Sequence, residues 1–254
     1  MTHETGNAAS TPASARGGGE TLHPIMVALD FPDAEAALAT AAKLEGIPVW
    51  MKVGMELFYA AGPDLVRRLK AQGHRIFLDL KFHDIPNTVR GAARSATRLG
   101  VDMFNVHAAG GAAMMRAALE GAVDASAGGP LPLVIAVTQL TSTSEETMRR
   151  EIGIDAPLSD VVIRYASLAR EAGLHGVVSS AQEAAAVKAA CGAGFVTVTP
   201  GIRPAGADVA DQARVMTPAE ALANGADYLV IGRPITGAPD PREALSRIVR
   251  EIGG

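Results

Sequence analysis

From residue 24 onward the chain repeats one pattern eight times: a short apolar run, then a longer stretch with helical periodicity. The runs are IMVALDF (25–31), VWMKVG (49–54), RIFLDLKF (75–82), MFNVHA (103–108), LVIAVTQL (133–140), GVVSS (176–180), FVTVTPG (195–201) and YLVIGRPI (228–235). Most are apolar at consecutive rather than alternate positions. That pattern belongs to strands covered on both faces, as in a parallel sheet flanked by helices. The intervening stretches start and stop as helices do. Ser180 with Glu183, and Thr217 with Glu220, have the spacing of capping boxes. Pro218 and Pro241 fall at first helical positions, and Gly46, Gly73, Gly100 and Gly173 stand where helix C-termini should end. Eight βα units without a second compositional zone predict an α/β fold, a (β/α)8 TIM barrel in a single domain over residues 23–254. A doubly wound open sheet is the alternative, but its glycine-rich first turn is missing: the first run ends in Asp30-Phe31-Pro32.

Composition supports one large core, since 48% of the 254 residues are hydrophobic. The net charge of −4 gives no reason to expect a nucleic-acid surface, so an anionic ligand would need a local basic cluster. Residues 1–22 are rich in Ala, Ser, Thr and Gly without apolar periodicity, and we expect a disordered N-terminal tail there. No apolar run has the length of a signal peptide core or a membrane span. Cys191 is the one cysteine, so no internal disulfide can form. A cytoplasmic protein is the expectation. We read Cys191 as a small packing residue at a helix end, and the Met-rich and Ala-rich helical stretches as barrel-helix packing.

Most of the runs begin apolar and end in residues able to do chemistry. Asp30 ends the first, Lys52 lies near the end of the second, Asp79 and Lys81 end the third and His107 the fourth. Gln139 and Thr141 follow the fifth, and Arg233 closes the eighth. In a barrel these positions converge on the C-terminal mouth, where active sites are found. The richest segment is DLKFHDIPNT (79–88). Asp79 and Lys81 are two apart on a strand and so point to one side. With Asp84 in the following loop and Lys52 from the neighbouring strand, they form an alternating array of two cations and two carboxylates. Such an array can be a salt-bridge network that only neutralises itself. The functional reading is favoured because four charges at a mouth are costly unless used. A lysine between carboxylates keeps its proton, which makes Lys81 a poor Schiff-base nucleophile and a good proton donor. Its ammonium also takes the space a divalent cation would occupy between the aspartates.

DLKFHDIPNT resembles the catalytic signature of the orotidine 5′-phosphate decarboxylases. The resemblance runs from about residue 24 to residue 250 and includes VALDF (27–31), KVGMELF (52–58), NVHAAGG (105–111), AVTQLTSTSEE (136–146), TVTPGIR (197–203), DQARV (211–215) and VIGRPI (230–235). It implies loss of CO2 from C6 of orotidine 5′-phosphate, giving uridine 5′-phosphate for pyrimidine biosynthesis, without a cofactor or metal. It implies that Lys81 protonates C6 and that Asp79 sits beside the substrate carboxylate. It further implies that Asp84 reaches across a homodimer interface into the partner's site, that Lys52 bonds the ribose and Asp79, and that Asp30 accepts from a ribose hydroxyl. Thr88 and Thr141 are substrate-binding positions by the same resemblance, as are Arg203, Gln212, Gly232 and Arg233, these last mostly around the phosphate.

The phosphate expectation has its own physical basis. GIRP (201–204) follows the seventh run and IGRP (231–234) ends the eighth. In barrels the loops after these two strands commonly bind phosphate, glycine admitting the anion to backbone N–H groups and arginine adding charge. His107 is a general-base candidate on position alone, and a structural group under the resemblance. Two rivals share the pattern: a magnesium-dependent sugar-phosphate decarboxylase or aldolase on the same barrel, and a non-catalytic barrel that binds a phosphorylated ligand.

Overall fold

A computed structural model describes residues 22–204 and 216–253. Its strands are β1 (Ile25–Ala28), β2 (Trp50–Gly54), β3 (Arg75–Phe82), β4 (Met103–His107), β5 (Leu133–Val137), β6 (Gly176–Val178), β7 (Val196–Thr199) and β8 (Tyr228–Ile231). They pair in parallel in chain order, and β8 pairs with β1, so the sheet closes into a barrel without an edge. The helices are α1 (Ala34–Lys43), α2 (Met55–Ala71), α3 (Pro86–Arg98), α4 (Gly111–Ser126), α5 (Glu145–Arg150), α6 (Leu158–Glu171), α7 (Ala184–Cys191), α8 (Pro218–Ala223), α9 (Arg233–Thr236) and α10 (Pro241–Gly253). This is the (β/α)8 fold the sequence predicts. The expected tail lies outside the described residues apart from Leu22, which packs against the apolar plug inside the barrel.

Alternation along each strand divides the core in two. Met26, Trp50, Phe77, Met103, Ile135, Val196 and Val198 point inward and fill the barrel. Their neighbours, among them Val27, Met51, Leu78, Phe104 and Val177, point outward against the helices. Both faces of the strands are thus buried, which explains the consecutive apolar residues. Both capping boxes form. Ser180 starts the 3-10 turn that leads into α7, Thr217 starts α8, and each glutamate side chain returns to its cap's N–H. The glycines expected at helix ends have left-handed φ values of 81° (Gly46), 87° (Gly73), 76° (Gly100) and 87° (Gly173).

Two departures matter for the site. The β5 ladder stops at Val137, so Gln139 and Leu140 belong to a loop over the mouth rather than to a strand. Helix α2 is interrupted at Gly62, whose φ of 69° precedes Pro63. At the opposite, N-terminal end of the barrel, charges are used on backbone groups. Lys188 Nζ donates to Asp227 Oδ2 (2.6 Å) and to the carbonyls of Ala193 (2.9 Å) and Phe195 (2.8 Å), while Asp227 accepts from the Thr197 amide at 2.7 Å. Asp102 likewise takes Lys70, Arg75 and the Ile76 amide. At this end the charges are paired with one another and with backbone groups.

At β6 a side chain at Gly176 would overlap the Val196 carbonyl oxygen of β7, a backbone atom that cannot swing away. Gly176→Ala should therefore destabilise the protein by about 1–3 kcal/mol or more, the usual cost of overpacking. Gly194→Ala, where an added methyl meets nothing within 4 Å, should stay within about 0.5 kcal/mol. Urea denaturation midpoints of the two variants check this.

Candidate active site

Two residues along each strand above the apolar plug, the inward positions turn polar on one side of the barrel and stay apolar on the other. Strands β2, β3 and β4 present Lys52, Asp79 and Asn105. Val137, Val178 and Val230 from β5, β6 and β8 face them across a cavity of about 370 Å³. The cavity opens at the C-terminal mouth, and its upper wall includes Gln139, Thr141, Gly201, Arg203, Gly232 and Arg233. It is half charged cradle and half apolar slot, with two arginines at one rim.

The charges form a chain. Lys52 Nζ donates to Asp30 Oδ1 at 2.8 Å and lies 3.7 Å from Asp79 Oδ2. Lys81 Nζ donates to Asp79 Oδ1 at 2.7 Å. Asp79 therefore sits between two ammonium groups, with its side chain 15% exposed, while Asp30 at the rim is 60% exposed. Burial alone would raise the Asp79 carboxyl. The charges of Lys52 and Lys81 and hydrogen bonds from Lys81 and Asn105 outweigh it and hold the group below the usual carboxylate range. The site thus keeps a buried carboxylate ionised beside a lysine at the cavity wall.

Lys52, Asp79 and Lys81 meet within one chain as expected, while Asp84 of that same chain does not join them. The second carboxylate of the array is Asp30, which enters from β1. Asp84 is exposed, lies outside the cavity lining, and accepts from the Ile85 amide at 2.6 Å. Thr88, in the first turn of α3, is also exposed and away from the cavity. Asp30, Lys52, Asp79, Lys81, Thr141, Arg203, Gly232 and Arg233 do converge on it. Gln212 and the DQARV stretch fall outside the described residues. The guanidinium of Arg203 turns back to the Ile202 carbonyl at 3.0 Å, and its amide donates to Met216 O at 3.0 Å. This ties the two described ends of that loop together.

Asp79 and Lys81 share a side, but not by simple alternation. Between Leu78 and Phe82 the β3–β4 register breaks, and Lys81 has a φ of 52°, in the left-handed region. For a residue with a side chain this conformation costs about 1–2 kcal/mol. It persists at a place where strain re-aims a side chain. Asn105 is the group the sequence reading passed over. Its signal was available: an amide in the middle of the apolar run MFNVHA has to find partners if buried. His107, two residues on, lies outside the cavity lining with its ring 5.6 Å from that of His83. Among the described residues no three His, Cys, Asp or Glu side chains gather as metal ligands do.

A closed parallel barrel with a lysine–carboxylate chain at its C-terminal mouth defines a (β/α)8-barrel enzyme. A profile of the "Orotidine 5'-phosphate decarboxylase / HUMPS family" matches residues 23–248. The orotidine 5′-phosphate decarboxylase of Moorella thermoacetica is 57% identical over 230 residues, 90% of this chain and 91% of that protein. The enzyme of the same name from Alkalilimnicola ehrlichii is 56% identical over 228 residues, 90% of this chain and 95% of that one. The crystal structure of orotidine 5′-phosphate decarboxylase from Lactobacillus acidophilus superposes with a TM-score of 0.83 at 40% identity, covering 91% of this chain and 99% of the other. The chain belongs to the orotidine 5′-phosphate decarboxylase / HUMPS family.

Burial, the neighbouring His83 and the charge of Lys81 lower the pKa of His107, opposed by Asp79. A base with a lowered folded pKa takes up protons more readily when unfolded. Its contribution to stability is complete above the unfolded value of about 6.5 and is lost as pH falls below it. The stability lost between about pH 7.5 and about pH 5.5 should be smaller in His107→Gln than in the parent, and the His107 ring should titrate below about 6.5 by NMR.

Proposed function

We propose that this protein decarboxylates orotidine 5′-phosphate to uridine 5′-phosphate, with Lys81 as proton donor. The observation that carries the proposal is Asp79, buried and ionised, held between Lys52 and Lys81 at the wall of a cavity whose other side is apolar. The relatives' names agree with it. The apolar slot of Val137, Val178 and Val230 suits a pyrimidine ring, and the Gly232–Arg233 and Arg203 rim suits the phosphate. With the phosphate held there, the ring's carboxylate lies toward Asp79, where like charge disfavours it before reaction. The C6–CO2 bond breaks, CO2 leaves, and the electron pair stays at C6. The Lys81 ammonium attracts that charge and gives C6 its proton, forming uridine 5′-phosphate; solvent then reprotonates the lysine. Lys52 serves the ribose while bracing Asp79, Asp30 accepts from a ribose hydroxyl, and Thr141 and Gln212 add contacts from loops.

In this proposal the working unit is a homodimer. Asp84 and Thr88 lie outside their own chain's cavity, which agrees with their serving a neighbouring one. Around the same mouth Met55, Tyr59 and Ile85 are 43%, 76% and 67% exposed, an apolar rim consistent with a partner chain. No helix among the described residues is long and apolar enough to cross a membrane. The reaction belongs in the cytoplasm.

Two measurements test these assignments. Lys81→Ala should lower kcat by several orders of magnitude while uridine 5′-phosphate still binds, because charge stabilisation and proton delivery both act in the transition state. Parent activity should survive exhaustive EDTA; loss of activity restored by Mg²⁺ would support a metal-dependent relative instead. For the dimer, inactive Lys81→Ala and Asp84→Ala chains should regain activity when mixed under subunit exchange. A statistical mixture is about half heterodimer, so about a quarter of all sites carry neither lesion. A mixture of proven heterodimers that stays inactive would place Asp84 in its own chain's site.

A further inference from the structure

Asn105 lies on β4, 1% exposed, and both ends of its amide are used on the two residues that matter most. Its Oδ1 accepts the Lys81 backbone N–H at 2.8 Å, and its Nδ2 donates to Asp79 Oδ1 at 2.7 Å. That carboxylate oxygen is the one that also takes Lys81 Nζ, at 2.7 Å. The β3–β4 register is broken between Leu78 and Phe82, so the Lys81 amide has left the regular ladder and takes a side-chain acceptor instead. Lys81 is one of two non-glycine residues with positive φ among the described residues; the other, Ala127, caps the C-terminus of α4. The strained backbone of Lys81 and the orientation of Asp79 are thus fastened by one buried side chain.

We propose that Asn105 is a positioning residue for the decarboxylation, an inference that rests on the function proposed above. It aims Lys81 by holding the bulged backbone, and it keeps Asp79 charged and turned toward Lys81. A carboxamide does both from one position at any pH, since it offers an acceptor and a donor two bonds apart, whereas a carboxyl does so only when protonated. Aspartate, when ionised, offers two acceptors and repels Asp79. When protonated it can restore the donor. Serine and alanine cannot span the two groups.

The test uses the full-length protein with Asn105→Ala and Asn105→Asp. In Asn105→Ala, kcat should fall about 10- to 100-fold, the worth of misplacing a charge-assisted pair. Uridine 5′-phosphate affinity should change less than about threefold, because the phosphate rim is untouched. Loss of the Nδ2 donor favours protonated Asp79, so the acid limb of kcat should move to higher pH. Asn105→Asp should recover activity relative to the parent as pH falls from about 8 to about 5.5, where a protonated carboxyl at this position replaces the amide. Hydrogen exchange reads the geometry without turnover: the Lys81 amide should exchange at least about tenfold faster in Asn105→Ala, while β1 and β2 amides hold.

If Asn105→Ala keeps kcat within about threefold with an unmoved acid limb, or loses kcat and nucleotide affinity together, the positioning role is wrong. Should Asn105→Ala not fold, Asn105→Asp decides: activity unresponsive to pH relative to the parent overturns the proposal. A parent without decarboxylase activity defeats the functional reading alone, since Lys81 exchange still reports whether Asn105 holds that amide.

Discussion

A carboxylate buried in a protein interior is expensive unless it is paired and hydrogen-bonded, and Asp79 is both. Lys52 and Lys81 lie on either side of it, Asn105 donates to it, and Asp30 extends the chain of charges to the rim. None of these groups comes from the same strand except Asp79 and Lys81. The barrel is what brings them together, because closing the sheet sets the inward positions of β1, β2, β3 and β4 at one level. Without closure the charges would sit along an open sheet and be solvated one by one.

The two ends of the barrel use charge differently. At the N-terminal end Lys188, Asp227, Lys70, Arg75 and Asp102 are consumed in bonds to one another and to backbone groups. At the C-terminal end the charged groups face a cavity. The difference is one of placement and not of residue type. The mouth also carries local backbone departures, the left-handed Lys81 and the break in the β3–β4 ladder. A rigid lower half, filled by Trp50, Phe77 and Met103, supports those departures.

In the proposed function, the cavity's asymmetry matches a substrate with a flat ring and an anionic tail. Apolar walls at Val137, Val178 and Val230 lower the local dielectric, which strengthens the influence of Lys81 on charge developing near it. The arginines stand at the rim, where they can grip a phosphate without entering the reacting part. In the proposed function, binding and chemistry fall to different strands of one barrel, the usual division of this fold.

The sequence by itself determined the barrel. Consecutive apolar residues such as LVIAV required two buried faces, and the capping pairs Ser180–Glu183 and Thr217–Glu220 marked helix starts that form as read. It also indicated the mouth, because polar residues recur at strand ends. What it could not determine was which charges meet. Asp84, three residues from Lys81 in sequence, stands apart from it within the chain, whereas Asp30, fifty-one positions away (81 − 30), is linked to it through Lys52 and Asp79. Nor could alternation reveal that Lys81 leaves the pleat, or that Asn105 takes its amide. Periodicity records which face a residue occupies, and that is local. Pairing among side chains from different strands depends on barrel closure and register, which exist only once the tertiary structure has formed.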